Sequence, residues 1–230
     1  IGSGLVGSEM CIRDRILCTL LTFFLLSACN KSNVITNEET TTELSETDKR
    51  QQEWQNEKNE IMNSINEENA EYKGKCGAYA NWYYKDNTLV IKGKGSVIED
   101  WKDYLRENHI SLDIKTVVID DNISEMYPGT FMYSNVENVY WSNGMDEITR
   151  DAFFNCYQLK EIYLPCNVKK IGNSAFMGCR NLEKIENSEH LEKIGDLAFA
   201  LCKQLKEITI SNNAEIGEQA FYENTGVIKK

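Results

Sequence analysis

The chain has 230 residues and a formal net charge of −11, with 36 Asp and Glu against 25 Lys and Arg. That balance excludes the clustered basic surface that phosphate-backbone binding demands, so no nucleic acid is expected as a partner. A hydrophobic content of 41% is enough for a packed core, and the length suits one large or two small domains.

In chain order, residues 4–15 (GLVGSEMCIRDR) look like translated adaptor sequence, so residues 1–15 are read as non-native and set aside. Residues 16–26 (ILCTLLTFFLL) are an apolar run of 11 residues behind Arg13 and Arg15. A spanning helix needs about 20 such residues, so the run fits the apolar region of a secretory signal instead. Leu26-Ser27-Ala28-Cys29 follows and resembles the lipobox of bacterial lipoproteins. The resemblance implies a signal peptide over residues 1–28, cleavage before Cys29, and a lipid on the Cys29 sulfur.

Residues 29–72 read as the lipid attachment followed by an acidic stalk. The Thr/Glu-rich stretch 34–47 has no sustained period and suits a flexible spacer. Residues 46–68 form a helix more readily, with Trp54, Lys58, Ile61 and Ile65 on one face. Three apolar anchors make a weak stripe, which predicts a marginal helix within the stalk, with pairing to a partner helix as the alternative.

Residues 73–112 change texture and predict an N-terminal β cap. Residues 80–84 and 88–92 alternate apolar with polar side chains, and Lys85-Asp86-Asn87 between them suits a hairpin turn. Gly93-Lys94-Gly95 reads as a turn or bulge, because no helix start or P-loop lysine pattern follows it. A hairpin here covers the open sheet edge and apolar cross-section that the first coil of a repeat array exposes.

Residues 113–230 repeat. Ala152-Phe153, Ala175-Phe176, Ala198-Phe199 and Ala220-Phe221 step by 23, 23 and 22 residues. Cys156, Cys179 and Cys202 keep the step, as do Leu159, Leu182 and Leu205, and then Ile162, Ile185 and Ile208. Such a period marks a repeat solenoid, in which each coil buries its apolar face only against its neighbours. Leu159, Ile162 and Leu164 have the L-x-x-L-x-L spacing of a short parallel strand, closed by Pro165. Ile114, Val117 and Ile119, and then Val136, Val139 and Trp141, mark two earlier coils. A sixth begins at Ile216, but residues 225–230 stop where its strand belongs, so the last repeat reads as incomplete.

The segment AFFNCYQLKEIYLP (152–165) resembles the BspA-type leucine-rich repeats of bacterial and protist surface proteins. Cys76-Gly77, Trp82, Leu89-Val90-Ile91 and Gly93-x-Gly95 are similar to the cap that often precedes them. The likeness implies a leucine-rich repeat solenoid with short parallel strands. For function it implies adhesion or protein binding at the cell surface. Ser134 and Asn224 depart from the pattern where Cys is usual, and Asn187 replaces an inward Leu or Ile.

Cys156, Cys179 and Cys202 occupy equivalent positions, so their side chains point in parallel and are expected as buried thiols, not disulfides. Neither Cys76 nor Cys166 belongs to this series. No Cys-x-x-Cys pair supports a metal site, and no cofactor is expected. His109 and His190 are the only histidines and stand apart from any nucleophile motif, so the chain does not read as an enzyme.

The outward positions of successive strands align coil by coil. Asn138, Tyr140, Glu161, Tyr163, Lys184 and Glu186 are the candidate partner-binding residues, with neighbouring Tyr140 and Tyr163 as aromatic anchors. Exposed strand positions also favour Tyr by propensity alone. The expected protein is therefore exported and lipid-anchored at the bacterial membrane or cell surface, binding a host extracellular or bacterial surface protein. The alternative is a structural spacer or envelope scaffold without a specific ligand.

Overall fold

Each repeat closes because its apolar residues recur at matching places on the coil, so one coil's interior lies over the next. The structure, a computed structural model, describes residues 45–97 and 101–230. The signal run, Cys29 and the first part of the stalk lie outside the described residues.

One helix comes first, α1 (Glu46–Ser64). Ser45 caps it, its Oγ accepting the backbone N–H of Asp48 at 3.1 Å. The cap region holds β1 (Tyr72–Lys75), β2 (Ala80–Lys85), β3 (Thr88–Gly93), β4 (Gly95–Val97) and α2 (Trp101–Glu107). β2 and β3 form the expected hairpin. Asp86 and Asn87 both take positive φ (47° and 61°), the turn whose twist matches a two-residue hairpin. β1 adds to β2 antiparallel, while β3 continues into the repeats by pairing in parallel with β5 (Thr116–Ile119).

The repeats then lay down two short strands per coil. The first series is β5, β7 (Asn138–Tyr140), β9 (Glu161–Tyr163), β11 (Lys184–Glu186), β13 (Glu207–Ile210) and β15 (Gly226–Lys229). β5 pairs with β7, β9 with β11 and β13 with β15, all parallel. β7 also lies beside β9, and β11 beside β13, which makes one continuous face. The second series begins with β6 (Ile123–Met126), which pairs with β4. It goes on through β8 (Glu147–Ile148), β10 (Lys170–Ile171), β12 (Lys193–Ile194) and β14 (Glu215–Ile216) in one parallel sheet. Residues 225–230 do not stop short of a strand. β15 pairs with β13 over four residues, Glu207 with Gly226 through Ile210 with Lys229.

The core runs the length of the array. Phe131, Phe153, Phe176, Phe199 and Phe221 stack with ring centroids 5.2–5.5 Å apart and interplanar angles of 19° or less. Their backbones are laced coil to coil, each N–H of Phe131, Phe153, Phe176 and Phe199 donating to the Ala carbonyl of the next coil at 2.7–3.0 Å. Trp82, Leu89 and Ile91 of the hairpin are fully buried in the same core as the repeats. Gly172 lies where two coils approach closely: a Cβ there would come within 2.5 Å of the Arg150 backbone nitrogen.

The cysteines form a second internal ladder. Cys156, Cys179 and Cys202 are free and buried, each thiol donating to the Phe carbonyl of the preceding coil (Phe131, Phe153 and Phe176) at 3.0–3.1 Å. Burial pushes the Cys179 thiol well above its ordinary pKa and that of Cys202 up to about 12. Ser134 takes the equivalent place one coil earlier, and its hydroxyl donates to the Phe131 carbonyl at 2.6 Å. Asn187, in place of an inward aliphatic, takes positive φ and donates from Nδ2 to the Leu164 carbonyl. Cys76 is also buried and forms no disulfide with Cys166.

Residues Lys49–Lys230 make one compact unit, to which α1 belongs from its second turn. The helix therefore does not stand off from the repeats as a stalk.

Candidate functional site

The outward side chains of the first strand series fall in one row. Tyr83 is in register with Val90, Val90 with Val118, and Val118 with Tyr140; Tyr163 is in register with Glu186. α1 lies along this row, because the helical pitch of about 5.4 Å nearly matches the strand spacing of about 4.8 Å. One turn of helix meets about one coil.

Three residues at i, i+4 and i+8 make the contact. Trp54 sits between two tyrosines, with ring centroids 5.8 Å from Tyr140 and 5.4 Å from Tyr163. One turn earlier, Arg50 donates from Nε to Glu186 at 3.2 Å and approaches Glu161 at 3.6 Å. One turn later, Lys58 is only 1% exposed; it pairs with Asp121 and donates to the Trp141 carbonyl at 2.8 Å. Its ammonium also lies 5.3 Å from the centre of the Trp54 ring. Ile65 is buried toward the cap end and Ile61 and Met62 are partly buried there, in one cluster with Val90, Val118 and Tyr83.

A polar network holds the lysine. Gln55 Nε2 donates to Asp121 Oδ2 at 3.2 Å, and the Asn143 backbone N–H donates to Asp121 Oδ1 at 2.8 Å. Asn143 Nδ2 closes the ring by donating to Gln55 Oε1 at 2.9 Å. Burial lowers the Lys58 pKa against the pull of Asp121. Burial pushes the Asp121 carboxyl up, but the ammonium and the Asn143 N–H override it and hold the group below the usual range. Burial likewise opposes ionisation of Glu186, and Lys184 and Arg50 override it. The Tyr140 hydroxyl is pushed up by burial and by the Glu57 carboxylate beside it.

The six residues predicted as an exposed binding face divide accordingly. Tyr140 and Tyr163 are not exposed: they are 8% and 6% accessible, because Trp54 covers them. Glu161 and Glu186 engage Arg50. Lys184 pairs with Glu186 and stays largely in solvent, and Asn138 is exposed beside the helix. Arg50, Gln55, Asp121 and Asn143 were not singled out by sequence reasoning. The signal that points to them is the Arg-x-x-x-Trp-x-x-x-Lys stripe of α1, whose polar members look like ordinary solvated charges.

Elsewhere, His190 Nε2 lies 3.0 Å from the Pro165 carbonyl, and burial lowers its pKa. Among the described residues no group of three or more His, Cys, Asp and Glu is placed to hold a metal. Among them, too, no helix is long and apolar enough to cross a membrane.

Residues 109–229, more than half of the chain, match the BspA-type leucine-rich repeat region in six copies. The chain belongs to this family. The BspA-type repeats thus take in every coil described above, from before β5 to β15. Solved structures with similar stretches include a leucine-rich cell surface protein of Faecalibacterium prausnitzii (18% identity, TM-score 0.42, 64% of this chain and 39% of that one). The pneumococcal vaccine antigen PcpA aligns at 18% identity and TM-score 0.46, over 66% of this chain and 47% of its own. A leucine-rich repeat protein of Bacteroides ovatus aligns at 18% identity and TM-score 0.35, over 64% and 50%. The chain thus spans between about two fifths and half of these three proteins. No curated protein matches it.

Proposed function

We propose that this BspA-type repeat protein is exported, held at the bacterial membrane or cell surface by a lipid on Cys29, and recognises a protein partner without covalent chemistry. One observation carries the recognition reading: the outward row of the repeat sheet already grips a polypeptide by side-chain chemistry. Trp54 rests on Tyr140 and Tyr163, with an ion pair on each side of it. Aromatic anchors flanked by directional charge pairs are the features in which binding energy concentrates. The anchor reading rests on the apolar run 16–26 and the lipobox-like Leu26-Ser27-Ala28-Cys29.

The same cover favours a second reading, a structural spacer whose helix seals the sheet and leaves no aromatic face for a ligand. Affinity capture with the full chain, against host extracellular and bacterial surface proteins, separates the two. Reproducible capture of one protein, lost on Glu161→Lys/Glu186→Lys, is expected for recognition; capture of none is expected for the spacer. Metabolic labelling with a fatty-acid precursor tests the anchor, with label expected on the wild-type chain and absent after Cys29→Ala.

A further inference from the structure

We infer that α1 is a tethered stand-in for the true ligand, and that the row from Asp121 to Glu186 is built to receive an amphipathic helix from another protein. That helix would present a cation, an aromatic ring and a cation on three successive turns. The inference rests on the recognition reading above and adds to it the chemistry of the ligand.

Three observations support it. The geometry is general: any helix laid across the strands meets one coil per turn, so residues at i, i+4 and i+8 fall on Glu161/Glu186, Tyr140/Tyr163 and Asp121 in order. The tethered helix, by contrast, covers its site only in part. Of its 19 residues only Trp54 and Lys58 are buried, and a crevice of about 170 Å³ remains between Trp54, Glu57, Tyr140, Tyr163 and Glu161.

The charges of α1 are also wrong for a permanent occupant. It carries five carboxylates (Glu46, Asp48, Glu53, Glu57 and Glu60) against three cations, over a face that presents Asp121, Glu161 and Glu186 against Lys184. Glu57 is itself taken up by a hydrogen bond with the Tyr140 hydroxyl, a bond that Gln at that position could also accept. A helix with the same stripe but no acidic flank would match the face better. The tether compensates for the mismatch, since a linked segment acts at a local concentration on the order of millimolar. The face is therefore covered until a better-matched helix arrives.

The test uses the full chain in detergent and a fluorescent peptide of residues 45–66 in which Glu53, Glu57 and Glu60 are replaced by Gln. Anisotropy should show the peptide binding an Arg50→Ala/Trp54→Ala chain at least tenfold more tightly than wild type, because the tethered competitor is weakened. Adding Tyr163→Ala should abolish binding, as should replacing the Trp of the peptide by Ala. Equal affinity for the two chains overturns the inference, as does no binding to an Arg50→Ala/Trp54→Ala chain that still unfolds cooperatively. If that variant does not fold, hydrogen exchange on the wild-type chain decides the matter. Amides of residues 49–64 must exchange well ahead of those in β9 and β11, and equal protection makes α1 a fixed part of the fold. A captured partner that the peptide cannot compete away also overturns the inference, while leaving the proposed function standing.

Discussion

The indole of Trp54 lies 5.4 Å from the ring of Tyr163, tilted by 34°, and this contact ties a helix that precedes the cap to a strand in the middle of the repeats. The two residues are 109 positions apart. Tyr140 completes the seat at 5.8 Å. Replacing Trp54 with Ala should therefore undock the helix and cost about 3 kcal/mol, toward the lower end of the range for a buried aromatic truncated to Ala. Urea unfolding checks the magnitude, and loss of protection confined to residues 49–64 checks the location. Tyr140→Ala/Tyr163→Ala should show the same local signature, since both rings support the indole.

The Lys58–Asp121 pair makes an asymmetric prediction. Asp121→Asn leaves a buried ammonium without its counter-ion and should destabilise by about 3 kcal/mol or more. Lys58→Met/Asp121→Asn should recover most of that loss, because no buried charge is then left without a partner and Asp121, with 38% of its side chain exposed, gives up only a partly solvated carboxylate. A double-mutant cycle from urea midpoints at neutral pH measures the coupling. Additive effects would rule the pair out as a unit.

Acid should loosen α1 before it unfolds the repeats. Asp121 and Glu186 both have folded pKa values below their ordinary ones. Their contribution is therefore complete above the ordinary carboxylate range of about 4, and it is lost as the pH falls through the lower folded values. Trp54 is the helix's only tryptophan, so fluorescence on a background with the other three replaced by Phe follows the transition, provided the replacements fold. No change should occur between pH 7 and about 5, with release below about 4.

The phenylalanine column should respond by position. Phe176→Ala removes a fully buried ring stacked on both sides and should cost about 3–5 kcal/mol. Phe221, partly exposed and stacked on Phe199, should cost distinctly less. Urea midpoints on the two single variants give the comparison directly.

The thiol ladder should be chemically silent in the folded protein. Cys156, Cys179 and Cys202 are buried and their pKa values raised, so each is protonated at neutral pH and shielded from reagent. An aromatic disulfide reagent should label all three only at the rate of unfolding. Prompt labelling of Cys179 in native buffer would contradict the ladder.

The repeats were legible in the amino-acid order because each coil buries its side chains against the coil about 23 residues away. A fixed step between Phe153, Phe176 and Phe199 therefore translates directly into a stacked column. The hairpin was legible for a similar reason: its alternation and its Asp86-Asn87 turn act within a dozen residues. The helical face of Trp54, Lys58, Ile61 and Ile65 could also be read, but its destination could not. A one-dimensional period says which side chains share a face, and nothing about which distant surface that face meets. Lys58 is the sharpest case: a lysine in a polar helix reads as solvated, and its burial becomes tolerable through Asp121, 63 positions away, and the Trp141 carbonyl. Tyr140 and Tyr163 were expected to be open to solvent because strand alternation turns them away from the core. That much is correct. It took the stacked strands, spaced to nearly the pitch of a helix, to decide that another part of the same chain would cover them.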